Sequence, residues 1–150
     1  MSAGIEYGER SARRTGGERP SKEGVMGAQE NIAAAKKGYA AFAAGDAAAA
    51  MADMVDDIEW ITPGNSAISG ITHGKQELGE NWTKLAEKGF TTSPQHWFAD
   101  AERVVVLTQI SVAGETADTA DVLTYNADAK LIKFQSAGDT ALFERVFGSK

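Results

Sequence analysis

Two side chains of this sequence are candidates for acid–base chemistry, Asp121 and His96. Asp121 lies in the alternating run Thr119-Ala-Asp121-Val-Leu123, so these three named residues share one face of a strand. Burial of that face raises the pKa of a carboxyl, which makes it an acid, a base or a neutral donor. The alternative interpretation, equally supported by the sequence, is structural. In it Asp121 accepts a hydrogen bond from a neighbouring hydroxyl and only makes the local structure more rigid. His96 is a candidate general base or, beside Trp97, a partly exposed structural residue.

The sequence lacks the residues and motifs of several common catalytic, metal and cofactor sites. The chain has no Cys, which excludes disulfides, thiolate nucleophiles and Cys-ligated zinc. Its only histidines, His73 and His96, are too few for a three-histidine metal site. The composition does not rule out a metal site made of two histidines and one carboxylate. The run from Gly70 to Lys75 has too few residues between its glycines for a phosphate loop, and no dinucleotide fingerprint or nucleophile elbow occurs. We therefore expect no cofactor and no metal.

Composition narrows the class of protein further. A length of 150 residues supports one domain with its own core. The net charge of -6, without a basic stripe, argues against nucleic acid as a partner. No apolar run approaches the ~20 residues of a membrane span, and the first 27 residues lack the apolar central region that is typical of a secretory signal. These features predict a cytoplasmic protein with no membrane or nucleic-acid partner.

The first 27 residues differ from the rest of the chain. They contain five basic residues, four acidic residues and six glycines, with few large apolar side chains. A segment with so little apolar surface to bury is predicted to be a flexible tail. The domain is then residues 28–150, and Met26, just before it, is a candidate start in the cell.

Helical periodicity appears in three segments. Residues 28–44 carry an apolar face at spacings of three and four, and Gly45 suits a helix end. Asp46 is a natural N-cap for a second helix. A third helix is expected over residues 75–88. The buried positions predicted for the three helices are Ile32, Ala35, Tyr39 and Phe42, then Met51, Met54 and Val55, then Leu78, Trp82 and Leu85.

Strand periodicity dominates the rest of the chain. Residues 58–62 form a first strand that ends at the Pro63-Gly64 turn and carries Ile58, Trp60 and Thr62 on one face. Four more strands follow with short turns, an antiparallel meander over residues 90–100, 102–113, 116–126 and 129–137. A short helix, 140–147, closes the chain. This order of elements is an α+β pattern. Because helices would cover only one face of the sheet, we expect the other face to be buried against a second copy in a homodimer.

The order of these signals resembles the NTF2-like superfamily, in particular its SnoaL-like and ketosteroid-isomerase-like branches. The shared signals are an aromatic residue before Gly45-Asp46, the acidic pair 56–57, Trp60 before a Pro-Gly turn, Gly74-Lys75 opening a helix, and the meander. The resemblance covers residues 28 to about 138. It implies a cone: a curved, mostly antiparallel sheet with three helices on its concave face, around a deep apolar pocket, in a homodimer.

The isomerase branch uses three catalytic groups, and this sequence matches one of them. The resemblance places Asp121 where the branch keeps a carboxyl that points into the pocket. The branch's base, just before the Pro that ends the first strand, is Thr62 here, and its tyrosine donor matches Gly38, with Tyr39 one step off. We therefore expect no appreciable steroid isomerisation.

Two functions remain open from the sequence. One is a cofactor-independent isomerase, cyclase, hydratase or hydrolase acting on a small apolar substrate of polyketide or steroid type, with Asp121 and His96 as catalytic groups. The other is a non-catalytic module that binds such a molecule. In both, the predicted ligand-binding residues, several of which also suit an ordinary core, are Trp60, Thr62, Trp82, Val106, Thr108, Ile110, Leu123, Phe134 and Ser136.

Overall fold

Four helices and six strands make up the described part of the chain. The computed structural model describes the backbone of residues 22–150 and the side chains from residue 27 onward. In chain order the elements are α1 Lys22–Ala43, α2 Ala47–Met51, β1 Met54–Thr62, β2 Gly70–His73, α3 Gly74–Glu87, β3 Thr91–Ala99, β4 Arg103–Val112, β5 Glu115–Tyr125, β6 Leu131–Ala137 and α4 Thr140–Phe147.

The strands form one curved, open sheet in the order β2-β1-β6-β5-β4-β3. All neighbours are antiparallel except β1 and β6, which run parallel. The register shifts in β1 between Met54 and Glu59, in β3 between Pro94 and His96, and at the end of β5. Such irregularities bend strands. The α+β cone predicted from the sequence is confirmed.

The concave face of the sheet carries the main core. Its buried residues alternate with outward-facing ones, as in β4, where Val104 and Val106 are fully buried. Helix α1 packs across β3 and β4, and α3 packs on β1 and β2. A smaller cluster forms under α4 around Ile110, Val112 and Leu142. Among the helices of residues 22–150, none combines the length and hydropathy of a membrane span.

The first strand and the segment after it differ from the sequence-based expectation. Helix α2 ends at Met51, and β1 begins at Met54, so Met54 and Val55 belong to a strand rather than to the second helix. Pairing of Met54 with Leu131 of β6 gives this segment a sheet partner that local periodicity cannot reveal. The strand β2, which ends at His73, was not predicted, because its four residues are too few to show alternation.

The N-terminal boundary also differs. The first helix begins at Lys22, six residues before the predicted start, and therefore includes Met26. Of the predicted flexible tail, residues 1–21 lie outside the described residues. The predicted domain boundary at residue 28 stays a prediction.

Two glycines provide opposite tests of this packing. A Cβ at Gly79, inside α3, would lie 3.9 Å from the Met51 side chain, which is ordinary contact. A Cβ at Gly138 would lie 2.6 Å from the Thr119 methyl carbon and 3.3 Å from the Asp118 carbonyl oxygen. We expect Gly79→Ala to stabilise the protein by about 0.5–1 kcal/mol, because alanine favours a helix interior, and Gly138→Ala to destabilise it. Urea unfolding measures both, and the same sign for the two changes would contradict the packing described.

Candidate functional site

A cavity of about 90 Å³ lies between the helices and the concave face of the sheet. Helices α1, α2 and α3 contribute one side, and strands β1, β3, β5 and β6 with the adjoining turns contribute the other. Aromatic and aliphatic side chains dominate its surface. The lining residues are Ala34, Ala35, Gly38, Tyr39, Phe42, Ala49, Ala50, Asp53, Met54, Trp60, Trp82, Leu85, Phe90, Thr92, Asp121, Leu123, Tyr125, Leu131 and Phe134.

Small residues on α1 and α2 leave the room for this cavity. Ala34, Ala35 and Gly38 face it from α1, and Ala49 and Ala50 face it from α2. A Cβ added at Gly38 would meet only the Ala50 carbonyl oxygen, at 4.0 Å. A larger side chain at any of these positions would occupy the space, so the cavity depends on the Ala-rich sequence of both helices.

Aromatic rings hold one another in place around the cavity. The rings of Trp60 and Phe134 stack, with centroids 3.6 Å apart and planes within 9°. Trp82 meets Trp60 edge-to-face at 5.6 Å and Phe42 at 5.0 Å. Mutual packing of this kind fixes ring orientation, so the apolar surface offered to a ligand is largely preformed.

The polar centre of the cavity is a carboxyl hydrogen-bonded to a phenol. Asp121 of β5 is 5% exposed, and the Tyr39 hydroxyl of α1 donates a hydrogen bond to its Oδ2. The Tyr39 ring also meets Trp97 of β3 edge-to-face at 5.4 Å. Since α1 crosses the sheet with Tyr39 on its inner face, the fold itself brings these two residues together.

Burial changes the acid–base properties of this pair. It raises the pKa of Asp121 from 3.8 to about 6, against the opposing effect of hydrogen bonds from Tyr39 and Ser136. Burial, followed by the charge of Asp121, raises the pKa of Tyr39 well above its ordinary value. A carboxyl that titrates near neutral pH is suited to both accept and return a proton, while Tyr39 stays a donor.

A charged group marks the edge of the cavity. The Asp53 carboxylate, 35% exposed, lies 3.1 Å from the Lys130 ammonium and 3.5 Å from that of Lys37. The hydrogen bond from Lys130 lowers the pKa of Asp53, so it stays ionised. Beside it, burial raises the pKa of Tyr125, which remains protonated. Asp53 therefore joins α1 to the β5–β6 turn at the rim.

Five of the residues predicted from the sequence line the cavity together: Trp60, Trp82, Asp121, Leu123 and Phe134. Ser136 lies opposite Asp121 on β6 and lowers the pKa of that carboxyl without lining the cavity. These residues form the part of the predicted site that the structure brings together.

The other predicted residues lie elsewhere. Thr62, Val106 and Thr108 are buried on the concave face but do not line the cavity, and Ile110 packs under α4. His96 is exposed at the irregular point of the edge strand β3, paired with the outward-facing Leu107. His96 is therefore separated from Asp121 by the sheet.

Tyr39 was not among the functional residues predicted from the sequence. Alignment to the isomerase pattern favoured Gly38 as the donor position, whereas the structure places both residues at the cavity and the Tyr39 hydroxyl on Asp121. The available signal was the apolar face of α1, which includes Tyr39 and Phe42. Phe90 and Asp53 were missed for a different reason: they lie between regular elements, where periodicity gives no direction. Tyr125 was overlooked, although alternation in β5 places it on the same face as Asp121 and Leu123.

A metal centre has no obvious place in the described part of the chain. Among these residues, no three His, Asp or Glu side chains gather as they would around an ion.

The family follows from comparison with known proteins. Residues 35–134 match the SnoaL-like domain. The chain belongs to this family. No curated protein matches the chain.

Solved structures share the fold of this SnoaL-like protein. An NTF2-like protein from Burkholderia xenovorans is 27% identical, with a TM-score of 0.65 over 80% of this chain and 97% of that one. TerC, co-crystallised with polyporic acid, is 25% identical, with a TM-score of 0.71 over 80% and 99%. An NTF2-like protein of unknown function from Burkholderia pseudomallei is 22% identical, with a TM-score of 0.71 over 80% and 98%.

The buried carboxyl of this SnoaL-like domain should lower stability above pH 6. Because the pKa of Asp121 is about 6 in the folded state and 3.8 in the unfolded one, the folded state holds more protons between these values. Stability therefore falls as the pH rises through that range, by about 2–3 kcal/mol in total. Asp121→Asn removes the charge and keeps an oxygen for Tyr39, so we expect it to be the more stable protein at pH 8 and nearly equal to the wild type at pH 4.

Urea unfolding at the two pH values measures this difference. Asp118→Asn is the matched control, because Asp118 is exposed on the same strand. The assigned pKa would be contradicted if the free energy of unfolding of Asp121→Asn at pH 8 were no higher than that of this control.

Proposed function

We propose that this protein binds a small, mostly apolar molecule in the cavity and catalyses a cofactor-independent proton transfer on it. An isomerase or cyclase fits this description directly, and a hydrolase would use the same carboxylate to take a proton from an attacking water. The main observation in support of this proposal is the buried Asp121 carboxyl, which accepts a hydrogen bond from Tyr39 inside an aromatic cavity. In this reading the Asp121 carboxylate takes a proton from the substrate and returns it at another atom, while the Tyr39 hydroxyl stabilises the charge that develops.

The surroundings of Asp121 support this role. No Lys, Arg or His is among the described residues that line the cavity, so the carboxyl has no permanent ion pair to hold its pKa low. The low polarity around it strengthens electrostatic interactions with a bound molecule. One structural relative, TerC, was co-crystallised with a small molecule, polyporic acid, which supports a small-molecule ligand here.

Cavity size favours a ligand smaller than a steroid. A cavity of roughly 150 Å³ holds one benzene ring, and this one is about 90 Å³ before any adjustment. The isomerase base position is Thr62, which is buried outside the cavity. Both observations support the expectation that steroid isomerisation is not the activity, and the volume favours a fragment no larger than one ring.

A non-catalytic binding protein is the second candidate. It is favoured by the fact that both polar groups at the centre, Tyr39 and Asp121, already satisfy each other. Asp53, the other carboxylate at the cavity, is held by Lys37 and Lys130. A substrate must therefore displace one hydrogen bond before proton transfer begins, whereas simple binding needs no such change.

Filling the cavity should abolish ligand binding. Gly38→Leu places a side chain in the space beside Ala50, so we expect at least a tenfold loss of affinity for single-ring compounds that bind the wild type. Quenching of tryptophan fluorescence reports binding, since Trp60 and Trp82 line the cavity. Ala40→Leu, on the exposed face of α1, is the matched control.

Activity separates the two candidates once a ligand is known. Turnover that is lost in Asp121→Asn supports the enzyme, and binding without turnover supports the binding module. Equal affinity in Gly38→Leu and the wild type would contradict the cavity as the site.

We also propose a homodimer through the convex face of the sheet. On the convex face, residues paired across all six strands form one row of side chains. The two residues at the ends of this row, Ile71 and Phe98, are 57% and 58% exposed. Apolar rows of this extent mark interaction surfaces. The row consists of Ile71, Ile61, Gln135, Val122, Val105 and Phe98.

Charges beside the row suit a second copy of the same chain. The next row includes Glu59, Lys133, Thr124 and Arg103, with the opposite charges of Glu59 and Arg103 on strands equally far from its centre. A two-fold axis along the strand direction would place the Glu59 of each copy opposite the Arg103 of the other. Such an isologous contact is the usual form of a homodimer.

A charge at the centre of the row should break this dimer. We expect Val122→Lys to weaken self-association at least tenfold, because two lysines would meet near the axis, and to leave a folded monomer. Gln109→Lys, outward-facing on the same sheet but two rows away, is the control. Sedimentation velocity measures the assembly, and a wild-type monomer at high concentration would refute the proposal.

A further inference from the structure

We infer that the cavity selects a small organic cation, an amine or quaternary ammonium group with apolar substituents. This rests on the proposed function in one respect, that the cavity binds a ligand at all. It goes further by naming the chemical class. Three features support a cation: the aromatic lining, the buried carboxylate and the absence of competing cations among the described lining residues.

Aromatic faces are the first part of the argument. Seven aromatic side chains line the cavity: Tyr39, Phe42, Trp60, Trp82, Phe90, Tyr125 and Phe134. The face of an aromatic ring is electron-rich and attracts cations, and several rings around one space form a cage for ammonium groups. A cavity for an uncharged apolar ligand could be lined equally well by aliphatic side chains. Among the described lining residues, the large branched aliphatic side chains are only three, Leu85, Leu123 and Leu131.

The buried carboxylate is the second part. Asp121 is 5% exposed, and both its hydrogen-bond partner Tyr39 and the facing Ser136 carry uncharged hydroxyls. A buried charge is costly unless an opposite charge pairs with it. Within the part of the chain that the structure describes, no Lys, Arg or His lines the cavity. A ligand that brings a positive charge supplies the missing partner.

The rim does not supply that partner either. Lys37 and Lys130 approach the cavity, but both are paired with Asp53. An anionic ligand would meet Asp53 and Asp121 in sequence, and both would repel it. Electrostatics therefore rank the three ligand charges as cation first, neutral second and anion last.

Only Asp121 should make this preference depend on pH between 5 and 8. Facing it are Tyr39 from α1, Ser136 from β6 and, further along the cavity, Tyr125 and Asp53. Burial raises the pKa of both tyrosines, and the hydrogen bond from Lys130 lowers that of Asp53, so none of these titrates in the range. The cation preference should therefore be full above pH 7 and fade as Asp121 gains a proton.

Three compounds of nearly the same shape test the inference. Choline, 3,3-dimethylbutan-1-ol and 3,3-dimethylbutanoate carry a positive charge, no charge and a negative charge on similar branched skeletons. We expect choline to bind at pH 8 about 10- to 30-fold more tightly than the alcohol, the range of a desolvated cation–π contact, and the carboxylate to bind worst. Titrations followed by protein NMR measure all three.

Two further arms assign the effect to Asp121. In the wild type, the advantage of choline over the alcohol should shrink severalfold between pH 8 and pH 5. In Asp121→Asn it should shrink severalfold at pH 8, to the part that the aromatic rings supply, while the affinity for the alcohol is retained. Asp118→Asn, which changes an exposed carboxylate of the same strand, should behave as the wild type.

The outcomes separate this inference from the proposed function. If the alcohol binds as tightly as choline at pH 8, the cation preference is wrong and the cavity remains a binding site. If choline binds better but equally so in Asp121→Asn, the assignment to the carboxylate is wrong. If none of the three binds, the inference fails, and if toluene also fails to bind, the proposed ligand-binding function fails with it.

Discussion

The burial of one carboxyl group organises this molecule. Asp121 needs a hydrogen-bond donor because it lies among apolar side chains, and Tyr39 of α1 provides it. That contact, together with the packing of the Tyr39 ring on Trp97 and of the Phe42 ring on Trp82, orients α1 against the sheet. The small residues Ala35 and Gly38 then face the space beside Asp121. The cavity and its polar centre thus have the same structural cause.

This arrangement sacrifices stability in two places. A carboxylate held away from water is unfavourable at neutral pH, and an unfilled space among aromatic rings loses packing contacts. Larger apolar side chains at these positions would relieve both costs. Residues that work against stability are expected where function requires them, which is why the cavity, rather than the exposed His96 or the loops, is the candidate site.

The sequence predicted the parts of the fold that depend on local pattern. The meander was found because its strands are long and alternate regularly, and the short helix α4, Thr140–Phe147, lies where it was expected after the last strand. The start of β1 was missed because Met54 becomes a strand residue through pairing with Leu131, far away in the chain. Strand β2 was missed because it is too short to show a period.

The site was predictable only in part for the same physical reason. Alternation placed Asp121 and Leu123 on a buried face, and the structure puts both at the cavity. It also placed Val106 and Thr108 on the concave face, but which part of that face stays open depends on where the helices cross. The role of Tyr39 depends on the same crossing, so residue spacing in α1 could indicate its direction but not its partner.

The account depends most directly on the protonation state of Asp121 in the folded protein. The carboxyl carbon of this residue can be followed by NMR in protein labelled with ¹³C, with the Asp121→Asn variant assigning the signal. The account predicts a titration centred at about pH 6, with the Tyr39 ring signals changing in the same range because its hydroxyl is bonded to the titrating group. A midpoint near 4, with no response from Tyr39, would show that Asp121 is hydrated or otherwise paired and would contradict the account.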